Sequence, residues 1–266
     1  MLQYIINTSI IWLACLLLYQ LFLKKESFHQ FNRIFLMGSL IAGLLLPVAN
    51  LNSMLPATSN ALFQPAAQVY EIKKAMQVKQ IEEISAPIAT VDNTLETALW
   101  IIYLAGVFAG LIMIAFEVLT LFRLYIHGSK HSEQGCTIVE TGKEHSPFSF
   151  FNIVFIRSRE DYSHAQWTLL IAHEKEHSRQ LHVADNLVLI LLRIVCWFNP
   201  LPHLYFKKVR ILHEFQADRA AATDTADYGF FLLEQNLLQG APILTHSFNY
   251  SPIKIRIAML TRKKRT

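Results

Sequence analysis

The sequence predicts a mainly α-helical integral membrane protein, with three N-terminal transmembrane helices followed by a cytoplasmic α+β domain. Three observations predict this. Apolar stretches at about 5–23, 34–49 and 97–122 are of, or near, the length that crosses a bilayer. Only 17% of the 266 residues are charged, against about 25% in an ordinary soluble domain, and the mean hydropathy is +0.30. From residue 128 onward the pattern changes to short β-like runs and amphipathic helices, one of which carries His173-Glu174-Lys175-Glu176-His177. The division is therefore 1–127, a membrane region, and 128–266, a domain built around that box.

The first span, 5–23, has no basic residues before it and no small-x-small cleavage site after it, and a second apolar run follows at once. It reads as a retained helix rather than a signal peptide. Lys24, Lys25 and Arg33 fill the short gap to the second span, where Gly38 and Gly43 suit close helix packing and Pro47 ends the helix. Residues 50–95 hold Pro56, Pro65, Pro87 and mixed polar residues. They read as an extracytoplasmic loop with an amphipathic helix near 70–84. The third span contains one ionisable residue, Glu117, which reads as solvated near the cytoplasmic edge beside Arg123. The basic 24–33 gap and the flanking Arg123 and Lys130 orient the chain with residues 128–182 in the cytoplasm. The +4 net charge comes from such flanks and from a C-terminal run at 262–265, a pattern of membrane flanks rather than of a nucleic-acid groove. Cys15, Cys136 and Cys196 form no CxxC pair and read as small buried hydrophobes.

In the second domain, 137–140 and 150–157 read as strands. The run 150–156, with Phe151, Ile153 and Phe155, is a candidate edge that holds an extended substrate, or equally an ordinary core strand. Ser163 followed by Gln166 is a capping-box pattern opening a helix at 164–181. Four residues apart on that helix, His173 and His177 share a face and can grip one zinc ion, with Glu174 beside them to activate water. A zinc site for catalysis takes three protein ligands. A long apolar helix at 183–198 is broken by Asn199, Pro200 and Pro202, and a further helix at 203–223 carries Glu214 and Asp218 on one face. Glu214 is the expected third ligand and Asp218 the carboxylate that orients a ligand imidazole. Residues 187–206 are apolar enough to suggest a fourth span, but a span there would place Glu214 across the bilayer from His173. A bent helical pair is expected instead.

Together these residues resemble the BlaR/MecR-type membrane metallopeptidases, the β-lactam sensor-transducers. The resemblance rests on the zinc box, His182 and Asp185, Trp197-Phe198-Asn199-Pro200, and Glu214-Phe215-Gln216-Ala217-Asp218. It covers the chain from the first span to about residue 262. It implies a cytoplasmic gluzincin domain in which His173, His177 and Glu214 bind one Zn²⁺ and Glu174 is the general base. His182 and Asp185, like Asp218, are expected to stand behind the ligands. It further implies cleavage of the chain itself or of a transcriptional repressor. The family's C-terminal sensor domain is expected to be lacking.

The expected partners are a protein or peptide substrate, the lipid bilayer, a repressor, a separate sensor or TonB-type subunit, and a second copy of the chain; direct nucleic-acid binding is not expected. The expected location is the inner membrane. Two other readings are a membrane quality-control or processing protease of the HtpX or CAAX type, and a non-catalytic scaffold folded by zinc. The Trp-Phe-Asn-Pro run weighs against the former, and Glu174, for which a structural site has no use, against the latter.

Overall fold

The computed structural model describes residues 2–24, 26, 28–48, 94–222, 224–238 and 252–261. The expected loop at 50–95 lies outside the described residues except for its last two, as do its amphipathic helix at 70–84 and the basic run 262–265. The chain opens with α1 (Leu2–Leu18), continued by a π-helical turn (Tyr19–Leu23), then α2 (His29–Leu45) and α3 (Thr94–His127). Four short strands follow: β1 (Ser129–Glu133), β2 (Cys136–Glu140), β3 (Phe148–Phe150) and β4 (Ile153–Ile156). Five helices complete the described chain: α4 (His164–Arg179), α5 (His182–Val195), α6 (Pro200–Ala221), α7 (Thr225–Leu238) and α8 (Pro252–Leu260).

Among the described residues, two helical stretches are long and apolar enough to cross a membrane, Leu2–Leu23 and Thr94–His127. The expected middle span does not reach that standard by itself. α2 has 17 residues, a rise of roughly 25 Å against a hydrocarbon core of about 30 Å, and it buries the polar Asn32 and Ser39. It ends at Leu45, two residues before Pro47. Gly43 packs as expected: a Cβ there would strike the Trp12 indole, whose Nε1 donates to the Leu40 carbonyl at 3.1 Å. Gly38 faces open space, so its expected packing role is not realised. Glu117 lies exposed on α3, away from the site described below. The three cysteines are free thiols.

The sheet order is β1-β2-β4-β3, with β2 and β4 parallel and the outer pairs antiparallel. β1 and β2 form a hairpin through Gln134 and Gly135, both at positive φ (51° and 83°), the two-residue turn whose twist matches its strands. The segment 150–156 is not one edge strand. Phe151 sits in a turn at φ 51°, and Ile153 and Phe155 belong to β4, which is hydrogen-bonded on both sides. The edge is β3, because the chain reverses at Phe151-Asn152 and lays β3 outside β4.

Two cores hold these layers together. Ile138, Val154 and Ile156 of the sheet pack on Trp167, Leu170 and Ile171 of α4, closed by Phe231 and Leu232 of α7. The other joins Trp12, Leu16, Leu36 and Leu40 of α1 and α2 to Tyr205, Val209 and Leu212 of α6. The bent pair expected at 187–206 is present as the α5–α6 hairpin, with α5 ending at Val195 rather than 198. Asn199 caps α6 by accepting from Leu201 N at 3.0 Å, and Pro200 occupies its first turn. The hairpin tip is seated against the membrane helices. Asn199 Nδ2 donates to Ser9 Oγ at 2.9 Å, Trp197 Nε1 donates to the Tyr103 carbonyl at 3.3 Å, and the Trp197 ring lies where a Cβ on Gly106 would be. The hairpin returns α6 to the same side as α4, which brings Glu214 to the histidines.

Candidate metal centre

The helix that carries the box starts where its cap dictates. Ser163 Oγ accepts from Gln166 N at 3.2 Å, and Gln166 Oε1 accepts from Ser163 N at 2.9 Å. Trp167, Leu170 and Ile171 fasten one face of α4 to the sheet. The helical period then turns His173 and His177, one turn apart, toward α6. On α6, Leu212 and Phe215 are buried against the membrane helices, which leaves Glu214 and Asp218 facing α4.

His173, His177 and Glu214 each offer a ligand atom, all within 4.8 Å of one another. His173 Nε2 and His177 Nε2 are 3.1 Å apart, and the Glu214 oxygens lie 3.7 Å from the former and 3.9 Å from the latter. A tetrahedral zinc with bonds of about 2.1 Å spaces its ligand atoms roughly 3.4 Å apart. The three groups are thus placed as three corners of such a site. Two imidazoles and one carboxylate, with no thiolate, are the donor set of a catalytic zinc with its fourth position free.

The residues around the two histidines fix which ring nitrogen would face a metal held there. Tyr228 OH donates to Asp218 Oδ1 at 2.9 Å and lies 2.8 Å from His173 Nδ1. The imidazole therefore donates from Nδ1, toward Tyr228 and toward Asp218 Oδ1 at 3.3 Å, and keeps its Nε2 lone pair for a metal. Asp218, expected to orient a ligand imidazole, lies within reach of the His173 ring. It is itself held by Arg256, through Nε at 2.7 Å and a short contact from Nη2, while Arg256 Nη1 reaches Glu214 Oε2 at 2.9 Å. His182, expected to stand behind the ligands, has its Nδ1 2.8 Å from His177 Nδ1 and its Nε2 2.9 Å from Gln216 Oε1. Asp185 is one step further out: it contacts Arg33 and His213 rather than a ligand.

Tyr228 and Arg256 were not anticipated from the sequence. The available signal for Arg256 was its setting between Ile255 and Ile257, since an arginine flanked by isoleucines on a short helix needs a carboxylate if the helix is buried.

Charge follows these contacts. Burial opposes a proton on His173, but its hydrogen bond to Asp218 and the nearby carboxylates outweigh this and raise its pKa. Burial, with His173, His182 and His213 close by, holds His177 far below the usual imidazole range. Burial beside His213 takes His182 to about 3. Burial also opposes ionisation of Asp218, but the Arg256 and His173 hydrogen bonds overcome it and keep the carboxyl low.

Glu174 stands apart from the ligand set. It is 6% exposed, and burial pushes its carboxyl above the usual range, offset in part by His173 and by a hydrogen bond from Ser149 of β3. The cleft that Glu174 helps to line, about 520 Å³, is also lined by Pro147, Phe148 and Ser149 and by Asn186 and Arg210. The strand that meets the cleft is therefore β3, not the run containing Phe151, Ile153 and Phe155. Because the Ser149 bond lowers the Glu174 pKa, Ser149→Ala should raise it. If Glu174 must be ionised to work, the acid limb of a pH–activity profile should move to higher pH in the variant. An unmoved limb would separate Ser149 from the function of Glu174.

The family model described as BlaR1 peptidase M56 matches residues 1–260, essentially the whole chain. The comparison with curated proteins returns no match.

Proposed function

Because the chain belongs to the BlaR1 peptidase M56 family, a family of membrane-associated metallopeptidases, we propose that it is a zinc-dependent endopeptidase that cuts a protein substrate at the cytoplasmic face of the inner membrane. The observation that carries this reading is the position of Glu174, beside a His-His-Glu donor set but outside it, and facing the same cleft. His173, His177 and Glu214 would hold the ion. Zinc in such a site supplies Lewis acidity, polarising a peptide carbonyl and lowering the pKa of water. Glu174 takes the proton of the attacking water on its carboxylate and passes it to the leaving amine. Its raised pKa suits both halves of that exchange. The substrate lies extended along the free edge of β3, with its backbone paired to 148–150.

The site lies at the end of α2 that carries Arg33 and beyond the His127 end of α3, so the basic flanks that argue for the cytoplasm flank the site as well. Seated on α1 and α3, the α5–α6 hairpin keeps the cleft next to the bilayer. This suits a substrate that is the chain itself or a repressor recruited to it, in a signal-transducing role. The test is metal removal from the full-length protein in micelles. One equivalent of zinc should be found, a chelator should abolish cleavage of a peptide substrate, and added zinc should restore it. Full activity in metal-free protein would overturn the reading.

A further inference from the structure

A continuous line of contacts runs from α2 to one metal ligand. Arg33, in the first turns of α2, places Nε 2.5 Å from Asp185 Oδ2 and donates from Nη2 to the Gln180 carbonyl at 2.7 Å. Asp185 Oδ2 accepts from His213 Nε2 at 2.9 Å. The His213 ring stacks flat on His182, with centroids 3.9 Å apart and planes at 12°. His182 Nδ1 then meets His177 Nδ1 at 2.8 Å, and its Nε2 meets Gln216 Oε1 at 2.9 Å.

The direction of these bonds matters. With the Gln216 oxygen toward it, His182 donates from Nε2 and accepts at Nδ1, so His177 carries its proton on Nδ1 and its Nε2 is bare. With the amide reversed, His182 would donate to His177 Nδ1 and force the proton onto the nitrogen that faces the metal. The stack with His213 holds the His182 ring in its plane, and Asp185 holds His213. Asp185 is largely buried, with His213 and Arg33 as its side-chain partners. Of the four links, Arg33 alone belongs to the helices ahead of the sheet.

Resting on the zinc-peptidase reading, we propose that Arg33 is a positioning residue of the metal centre. It acts through Asp185, His213 and His182 on the orientation of His177, so that the placement of α2 sets how tightly the metal is held. A displacement of the inner end of α2 pulls Asp185 away from His213, lets the stacked rings turn, and loosens one of the three ligands.

The test is zinc affinity of the full-length chain in nanodiscs, by competition with a chromophoric chelator. Arg33→Met should weaken binding by about tenfold, the lower end of the range for residues behind metal ligands. Arg33→Lys should restore part of the loss, because it keeps a charge beside Asp185 but loses the fork to the Gln180 carbonyl. In a His182→Leu background, Arg33→Met should have little further effect, because the path to His177 is already cut. Should Arg33→Met fail to fold, Asp185→Asn, nearly identical in shape, tests the same line. Wild-type zinc affinity in a folded Arg33→Met or Asp185→Asn protein would overturn the proposal, as would losses that add in full with His182→Leu. Wild-type protein that binds no zinc would sink the peptidase reading and this proposal with it. Zinc binding that is tight and indifferent to Arg33 would sink the proposal alone.

Discussion

Glu174→Gln is expected to leave one zinc bound and to reduce peptide cleavage by about 10²- to 10⁴-fold, the contribution of a positioned general base. The atoms that would hold the ion belong to His173, His177 and Glu214, so the substitution removes none of them. Glutamine keeps the shape of the side chain and its bond to Ser149 but cannot take a proton from water. A second consequence separates function from folding. Burial raises the Glu174 pKa, so the folded state binds its proton more tightly than the unfolded one. The stability this gives is full below the unfolded pKa and is lost as pH rises through the folded one. At neutral pH the ionised carboxylate therefore costs stability, and the glutamine variant should melt no lower than wild type, while cleaving far less. Metal content, a melting curve and a cleavage assay on one preparation check all three. A variant that keeps its activity would remove Glu174 from the chemistry.

Arg256→Met is expected to be the most damaging single change to the site. Arg256 spans two carboxylates, Glu214 at 2.9 Å and Asp218 at 2.7 Å, and Asp218 is 1% exposed. Removing the cation leaves a buried carboxylate without its counter-charge, a defect of about 3–5 kcal/mol. It also frees Glu214, so zinc affinity should fall by about 10- to 100-fold. Arg256→Lys should recover little, because one ammonium cannot reach both acids in the geometry of a guanidinium. The pH dependence gives the sign. In wild type the lowered Asp218 pKa contributes stability above its unfolded value that is lost as pH falls through the folded one. In the variant that pKa rises, and acid unfolding should begin at higher pH. Denaturant unfolding at several pH values measures this, and an unchanged acid transition would mean that Arg256 does not hold Asp218.

What the sequence made legible was what local spacing encodes. The capping box at Ser163 and Gln166, the shared face of His173 and His177, and the break at Asn199-Pro200 all depend on residues within a turn or two of one another. Glu214 could be chosen because a zinc site needs a third ligand and the following helix offered an acid, and the same requirement excluded a span at 187–206. β1 was missed because Ser129 to Glu133 is a polar run with no apolar alternation; it is an outer strand that owes its place to the turn at Gln134-Gly135. The edge was misplaced because the aromatic run around Phe150 hides a chain reversal that only the positive φ of Phe151 reveals. Arg256 and Tyr228 reach the site from helices 38 and 10 residues beyond Asp218, distances over which no periodicity operates. Asp185 was expected behind the ligands, but its contact with Arg33, 152 residues earlier, had no local signature.

The core that α6 shares with α1 and α2 ties the proposed chemistry to the first two helices of the chain. Tyr205, Val209 and Leu212 are buried in one cluster with Trp12, Leu36 and Leu40, and Glu214 and Asp218 ride on the same helix. A change in α1 or α2 that loosens this core would therefore reach both carboxylates through the helix that carries them, at a distance from the histidines.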